Sequence, residues 1–142
     1  MQIRKLTIGD YERIIDLWTR GGLPIELSGR DSKKAIAAQM AANPHLFLGV
    51  FQDNQLIGTV IISSDTRRGW INRLAVDPDY RHRGVAKTLI AESEKLLKEQ
   101  GVIIFAALVD DSNDASKELF KNCGYRERKD IVYFRKHITE ES

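Results

Sequence analysis

The chain has 142 residues and a formal net charge of +2 at pH 7, with 42% hydrophobic and 30% charged residues. This composition is typical of a soluble globular protein, and we expect residues 1–142 to form a single domain. No apolar run is long enough to span a membrane, and the N-terminus lacks the apolar block of a secretory signal. With Cys123 as the one cysteine, no internal disulfide is possible, which favours a cytoplasmic location. The charge is too small to indicate nucleic acid as a partner.

The N-terminal part of the chain predicts one strand followed by two helices. Residues 2–6 alternate between polar and apolar, which indicates a strand. Apolar residues recur at helical spacing over residues 9–20, and Gly21-Gly22 ends that helix. After a loop at residues 23–30, residues 31–42 have high helix propensity, and Asn43-Pro44 stops the second helix.

The middle of the chain predicts three consecutive antiparallel strands. Residues 46–51 and 55–63 flank Gln52-Asp53-Asn54, a turn sequence, so they predict a hairpin. A turn at residues 65–69 leads to a third strand at residues 70–76, which ends at Asp77-Pro78 because proline cannot donate to a strand ladder.

The C-terminal half predicts a helix at 84–100, a strand at 102–108, a helix at 112–123, and a closing hairpin of strands 125–128 and 131–137. The strand at 102–108 is nearly all apolar, as in a strand buried on both faces. The order β-α-α-β-β-β-α-β-α-β-β indicates a mixed α/β fold. Strands 70–76 and 102–108 are joined by a helix, so we expect them to be parallel with a right-handed crossover.

The segment from Leu74 to Ile90 carries the clearest chemical signal. A strand ends, a polar loop follows, and a helix begins near Gly84. The first amides of a helix have no internal acceptor and lie at the positive end of the helix dipole, so they favour an anion. Gly84 lets an oxygen approach the backbone closely. With Arg81, Arg83 and Lys87 nearby, the pattern predicts a pyrophosphate site at residues 81–87.

Other interpretations of this segment also bear on its pattern of basic residues and glycine. A solvated basic turn before a surface helix would give the same pattern. Phosphates of a nucleic acid attract the same residues, but the loop has no aromatic interleaving beyond Tyr80 and no long basic stripe. A P-loop and a dinucleotide-binding fingerprint are excluded, because the required glycine and lysine spacings are missing.

The sequence Arg81-His82-Arg83-Gly84-Val85-Ala86, following Leu74-Ala75-Val76, resembles the acetyl-CoA motif R/Q-x-x-G-x-G/A of the GNAT superfamily of N-acetyltransferases. A second region resembles that family's pattern N-x-x-A-x-x-L-Y-x-x-x-G-F, with departures, at Asn113, Ser116, Leu119, Phe120, Gly124 and Tyr125. The resemblance spans essentially residues 2–137. It implies a mixed, mostly antiparallel sheet of six to seven strands flanked by about four helices.

The resemblance also implies how acetyl-CoA would bind as co-substrate. In the family the strand before the loop bulges and splays from its parallel neighbour, and the pantetheine arm pairs with the exposed backbone. The positions that match here are Leu74, Ala75 and Val76. The pyrophosphate would rest on the amides of the loop and helix start, at Arg81, His82, Arg83, Gly84, Val85, Ala86 and Lys87. Asn113 matches a position that hydrogen-bonds the cofactor arm.

The catalytic acid and base remain open at this point. The family often uses a tyrosine to protonate the leaving thiolate, but this chain has Phe120 there, which cannot donate a proton. Tyr133 and Tyr125 are alternatives, and the thiolate could take a proton from water. Glu26, in the loop between the first two helices, is a candidate base, as is a chain of water molecules.

The function implied is transfer of an acetyl group to a primary amine on a small molecule, an amino acid or a protein. The alternative is a regulatory module that binds CoA without catalysis. Family members are often dimers, so a homodimer is a further expectation. Cys123 is interpreted as a core residue, and the three scattered histidines indicate no metal site.

Overall fold

The computed structural model describes residues 1–42 and 46–139, so the predicted helix stop at Asn43-Pro44 lies outside the described residues. Within these ranges the chain forms five strands and four α-helices. The strands are β1 (Gln2–Lys5), β2 (Phe47–Gln52), β3 (Gln55–Ser64), β4 (Gly69–Val76) and β5 (Phe105–Ala106). The helices are α1 (Tyr11–Arg20), α2 (Lys33–Ala42), α3 (Val85–Glu99) and α4 (Asp114–Asn122), and short 3-10 turns lie at Ile8–Asp10 and Pro78–Tyr80.

The strands form one mixed sheet in the order β1-β2-β3-β4-β5. Strands β1 to β4 pair in succession as antiparallel neighbours, and β4 pairs with β5 in parallel. The expected hairpin of β2 and β3 and the expected parallel pair are therefore confirmed. A parallel pair needs a crossover connection, and α3 supplies it.

Two apolar clusters pack the sheet. One joins α3 and Phe120 of α4 to strand residues such as Val50, Ile57 and Ile71. The other joins α1 and α2, through Trp18 and Ile36 among others, to a different set of strand residues. Because alternate residues of a strand face opposite sides of a sheet, the two clusters correspond to its two faces.

The first two helices each begin two residues later than the sequence pattern predicts. The turn at Ile8–Asp10 precedes α1, and the carboxylate of Asp10 accepts the Thr7 N–H at 2.9 Å there. The helix α2 begins at Lys33 rather than at residue 31. The reason is that Asp31 is buried and its carboxylate accepts the Glu26 N–H at 2.8 Å, which holds it in the preceding loop.

The predicted closing hairpin is wrong for the described residues. Neither 125–128 nor 131–137 forms a strand, so the sheet has five strands and not six to seven. The strand predicted at 102–108 is reduced to Phe105–Ala106, and it is not buried on both faces, since Ile103 is 85% exposed. Apolar alternation is a local property, whereas a strand also needs a paired neighbour and a covering layer. Here β5 pairs only with β4 in the sheet, so its sequence lacks that support.

Candidate active site

A bulge interrupts β4 in the middle of the strand. Thr59 pairs with Ala75 and Ile61 pairs with Asn72, so Val60 lies opposite two residues, Arg73 and Leu74. Arg73 has a φ of 51°, in the left-handed region that non-glycine residues rarely adopt. Bulges turn backbone groups out of the ladder and are frequent beside active sites.

The strands β4 and β5 separate just before this bulge. Their parallel pairing covers only Gly69 with Phe105 and Trp70 with Ala106. From residue 71 to residue 76, β4 therefore presents backbone groups along an edge that β5 does not pair. This is the splayed arrangement that the sequence resemblance implied for the strands 70–76 and 102–108.

The predicted pyrophosphate site lies at the N-terminus of α3. Gly84 is the N-cap of this helix with a φ of 80°, and His82 is also left-handed with a φ of 65°. A Cβ placed on Gly84 would meet nothing within 4 Å, so the surroundings of this helix end are open at Gly84. The first three amides of the helix have no acceptor within it, so they are available to a ligand at this helix end.

Cationic side chains surround this helix end. Arg81, Arg83 and Lys87 are all exposed. The Nη2 of Arg81 donates to the carbonyl of Gly21 at 3.5 Å, and the guanidinium carbon of Arg83 lies 5.1 Å from the ring centroid of Tyr80. An open helix N-terminus with positive charge around it favours a multiply charged anion.

Asp77 fixes the loop that leads from β4 into this site. Its side chain is 1% exposed and accepts hydrogen bonds from Arg20 Nη1 at 2.5 Å, Gln55 Nε2 at 3.2 Å and the Asp79 N–H at 2.9 Å. Burial raises the pKa of Asp77, but the bonds from Arg20 and Asp79 outweigh it and hold the pKa below its usual value. The start of the α3 loop is thereby anchored to α1 and to the β2–β3 hairpin.

A second cluster lies on the α1 and α2 side of the bulge. The Nη2 of Arg73 donates to the carbonyl of Pro24 at 2.6 Å and lies 3.3 Å from the buried carboxylate of Asp31. The Tyr11 hydroxyl donates to the carbonyl of Asp31 at 2.6 Å. These contacts attach the α1–α2 loop, which includes Glu26, to β4 at its bulge.

A groove of about 210 Å³ opens beside Arg73. Its lining comes from the α1–α2 loop, α2, β3 and β4, and consists of Arg30, Asp31, Ile36, Gln39, Ile61, Ser63, Asn72 and Arg73. A larger groove of about 330 Å³ lies elsewhere, between α1 and the β2–β3 turn, and none of its lining residues belongs to β4. The smaller groove is therefore the one that adjoins the bulge.

The residues considered for acid and base chemistry differ in burial and in their hydrogen-bond partners. Phe120 is buried and packs edge-on against Tyr125, with 5.1 Å between the ring centroids. The Tyr125 hydroxyl donates to Glu94 at 2.6 Å, and burial together with that bond raises its pKa. Tyr133 is 62% exposed. The side chain of Glu26 accepts a hydrogen bond from the Ser28 hydroxyl within its own loop, at 3.2 Å.

Asn113 is the N-cap of α4, where its side-chain oxygen accepts the Ser116 N–H at 3.1 Å. An amide has two oxygen lone pairs and two N–H donors, so the Nδ2 group can still donate to a ligand. Cys123 is partly buried and packs against the α3-side cluster, in agreement with its interpretation as a packing residue. Burial raises the pKa of its thiol, which makes it a poor nucleophile.

Within residues 1–42 and 46–139, no group of three or more His, Cys, Asp or Glu side chains is arranged to hold a metal ion. Over the same part of the chain, every helix is too short or too polar to cross a membrane.

Comparison with known proteins identifies the family. The family model described as the acetyltransferase (GNAT) family matches residues 11–125. An acetyltransferase of Photorhabdus laumondii is 32% identical over 139 residues, which is 97% of this chain and 96% of that protein. A spermidine N(1)-acetyltransferase of Thermoplasma acidophilum is 28% identical, over 89% of this chain and 88% of its own length.

A solved structure agrees with this result. The PaiA N-acetyltransferase of Thermoplasma acidophilum, crystallised with coenzyme A, has a TM-score of 0.78 and 28% identity, and the match covers 88% of this chain and 89% of that one. The chain belongs to the GNAT family of acetyltransferases. It is therefore an acetyl-CoA-dependent N-acetyltransferase with acetyl-CoA as its co-substrate.

The residues that build the site fit this co-substrate. The unpaired edge of β4 offers backbone groups to an extended amide-bearing arm, and the open N-terminus of α3 offers amides to phosphate oxygens. When bound, acetyl-CoA supplies an activated acetyl group as a thioester. The organising roles of Arg73, Asp31 and Asp77 could not be predicted from the sequence, because the Arg73–Asp31 and Arg20–Asp77 pairs join residues 42 and 57 positions apart. The apolar-to-polar break at Asn72-Arg73 within a strand was the one local signal.

Proposed function

We propose that this enzyme transfers the acetyl group of acetyl-CoA to a primary amine by direct attack of the neutral amine on the thioester. The carrying observation is that the β4 bulge adjoins the groove of about 210 Å³ and is itself part of the strand edge that β5 leaves unpaired. An acceptor in the groove and an acyl donor along the edge would meet at the bulge. Proximity of this kind supplies much of the rate of a two-substrate reaction. The related spermidine acetyltransferase supports an amine as acceptor.

In this proposal the backbone of Leu74, Ala75 and Val76 pairs with the pantetheine arm. Backbone amides at residues 74 and 75 are the candidates for stabilising the negative charge that develops on the carbonyl oxygen. The amides from His82 to Lys87 hold the pyrophosphate, and Nδ2 of Asn113 donates to the arm. We also propose that residues 1–142 act as one acetyltransferase domain.

In this proposal, neither protonation of the leaving thiolate nor removal of the amine proton needs a dedicated acid or base of the protein. Phe120 has no proton to give, and the Tyr125 hydroxyl is already engaged as a hydrogen-bond donor to Glu94. A thiolate is a good leaving group that can take a proton from water. We propose that water is the immediate acceptor of the amine proton. The alternative is a protein base, for which Glu26 is the candidate carboxylate.

The test is a thiol-release assay with acetyl-CoA and a panel of amines that includes polyamines, amino acids and aminoglycosides. Turnover with at least one amine, with the acetyl group located on nitrogen by mass spectrometry, is the expected result. Saturable CoA binding without turnover of any amine would contradict the proposal and favour a non-catalytic CoA-binding module.

A further inference from the structure

The groove beside the β4 bulge carries more positive than negative charge. Two guanidinium groups, those of Arg30 and Arg73, line it together with one carboxylate, that of Asp31. Asp31 is 4% exposed. Its carboxylate accepts the Glu26 N–H and lies 3.3 Å from Nη2 of Arg73. The lining therefore has a net charge of about +1, and its one negative group is engaged by the protein.

The remaining polar groups of the lining can all donate hydrogen bonds. The side chains of Gln39 and Asn72 carry amide N–H groups, and Ser63 carries a hydroxyl. The hydrogen bonds from the Arg73 guanidinium to Pro24 and Asp31 both use Nη2, and a guanidinium has two further nitrogens that donate in the same plane. A planar set of donors of this kind matches the two oxygens of a carboxylate.

The electrostatic surroundings of Arg73 agree with this assignment. Burial lowers the pKa of Arg73, Asp31 opposes that effect, and the charge of Arg30 lowers the pKa further. Both arginines line the same groove, so their like charges oppose each other there. An anion bound in the groove would be attracted by both charges, whereas an ammonium group would be repelled by both.

The size of the groove limits what can fill it. Its volume of about 210 Å³ is below the range of roughly 300–1,000 Å³ that is usual for drug-sized ligands. A polycationic acceptor such as a polyamine would also need several carboxylates to balance its charge, and Asp31 is the only carboxylate among the lining residues that the structure describes. The apolar surfaces of Ile36 and Ile61 leave room for a small aliphatic side chain.

We propose that the acceptor is a small primary amine that also carries a carboxylate, as an amino acid does, and that Arg30 and Arg73 hold this carboxylate in the groove. This assignment deepens the proposed N-acetyltransferase function and rests on it. The carboxylate would fix the orientation of the acceptor at the bulge, within the part of β4 that β5 does not pair. Arg30 and Arg73 would then be specificity-determining residues.

The first test uses matched acceptors that differ only in the anion. Initial rates are measured with acetyl-CoA and each of a set of L-amino acids, their α-carboxamides and a set of polyamines. We expect kcat/KM for the preferred amino acid to exceed that for its carboxamide by at least tenfold. A carboxamide or a polyamine used as well as the amino acid would overturn the inference and leave the proposed amine acetylation intact.

The second test uses variants and a binding measurement that does not depend on turnover. In calorimetry with CoA present, the wild-type enzyme should bind the preferred amino acid and not its carboxamide. Arg30→Gln should weaken that binding and raise KM at least tenfold, with CoA affinity unchanged. Arg67→Gln, which removes an exposed arginine from the β3–β4 turn, is the matched control and should change neither value. Equal losses in both variants, or no loss in Arg30→Gln, would overturn the assignment.

Discussion

The guanidinium of Arg73 stacks on the indole ring of Trp18, with the guanidinium carbon 4.4 Å from the ring centroid. The indole N–H of Trp18 donates to the Thr59 hydroxyl at 3.0 Å, and that hydroxyl in turn lies 3.4 Å from the carbonyl of Arg73. The three residues close a ring of contacts among α1, β3 and β4. This ring holds the bulge of β4 in place and directs the Arg73 side chain toward the α1–α2 loop.

Arg73→Met should loosen that loop without unfolding the protein. The change removes a cation–π contact, worth about 0.5–2 kcal/mol, and the bonds to Pro24 and Asp31. We expect the free energy of unfolding to fall by about 1–3 kcal/mol and the Glu26 and Asp31 amides to exchange faster with deuterium. Arg68→Met, in an exposed turn, is the control. Unchanged exchange at Glu26 and Asp31 would show that Arg73 does not hold the loop.

Gly84→Glu should weaken CoA binding at least tenfold, which corresponds to about 1.4 kcal/mol. The substitution places a negative side chain in the open space before α3 and also strains a left-handed backbone position. Gly101→Glu is the matched control, because Gly101 has a φ of 85° and equally open surroundings at the other end of α3. Calorimetric titration of CoA measures both. An equal loss in the two variants would place the pyrophosphate elsewhere.

Arg20 contacts two carboxylates that differ in burial, and this difference predicts unequal effects. The Asp77 side chain is 1% exposed and that of Asp16 is 65% exposed. Asp77→Asn should lower the free energy of unfolding by about 1.5–3 kcal/mol, because it weakens charge-assisted bonds at a buried site. Asp16→Asn should cost about 0.5 kcal/mol or less. Urea unfolding measures both, and similar values would contradict the anchoring role of Asp77.

Stability should decline in acid through Asp10 and Asp77. The hydrogen bond from Arg4 lowers the pKa of Asp10 against the opposing effect of burial. Burial raises the pKa of Asp77, but its hydrogen bonds outweigh that effect and leave the pKa below its usual value. Folded pKa values below the unfolded value, about 3.9 for aspartate, give stability that is present above about pH 4. It is lost as the pH falls through the folded values.

Urea unfolding at several pH values measures this decline. The Asp10→Asn/Asp77→Asn variant should be less stable at neutral pH and should depend less steeply on pH below about pH 4. The same acid slope in the variant and the wild type would assign the decline to other carboxylates.

Glu26→Gln should lower kcat by less than tenfold. A protein general base contributes roughly 10²–10⁴-fold, and the Glu26 carboxylate is instead bonded to Ser28 in its own loop. Glu99→Gln, at the exposed end of α3, is the control. A loss of a hundredfold or more, with disappearance of the acidic limb of the pH–rate profile, would identify Glu26 as the base and refute the water-mediated proposal.

The sequence was sufficient for the elements that rest on local patterns. Helical periodicity, the turn at Gln52-Asp53-Asn54 and the stop at Asp77-Pro78 each lie within a few residues, and so does the strand–loop–helix pattern around Gly84. For this reason the three antiparallel strands, all four helices and the place of the candidate pyrophosphate site could be predicted before the fold was known.

The closing hairpin was predicted from the same kind of pattern and is not formed in the described chain. Alternation in residues 131–137 indicates which side chains could share a face, but a strand forms only where a neighbour pairs with it. The short pairing of β5 with β4, at Gly69 and Trp70, decides where the sheet ends. That decision depends on the whole sheet rather than on any one segment.

By itself, the sequence determined the class of chemistry, because the amides and charges of the proposed anion site belong to residues 81–87, which are consecutive. Only the tertiary structure decided how the groove proposed for the acceptor is built. Arg73 meets Trp18, Pro24 and Asp31 across 42 or more positions of sequence. The Arg20–Asp77 pair spans 57 positions. Such contacts depend on how helices pack on the sheet, and no periodicity or turn signal in the chain encodes them.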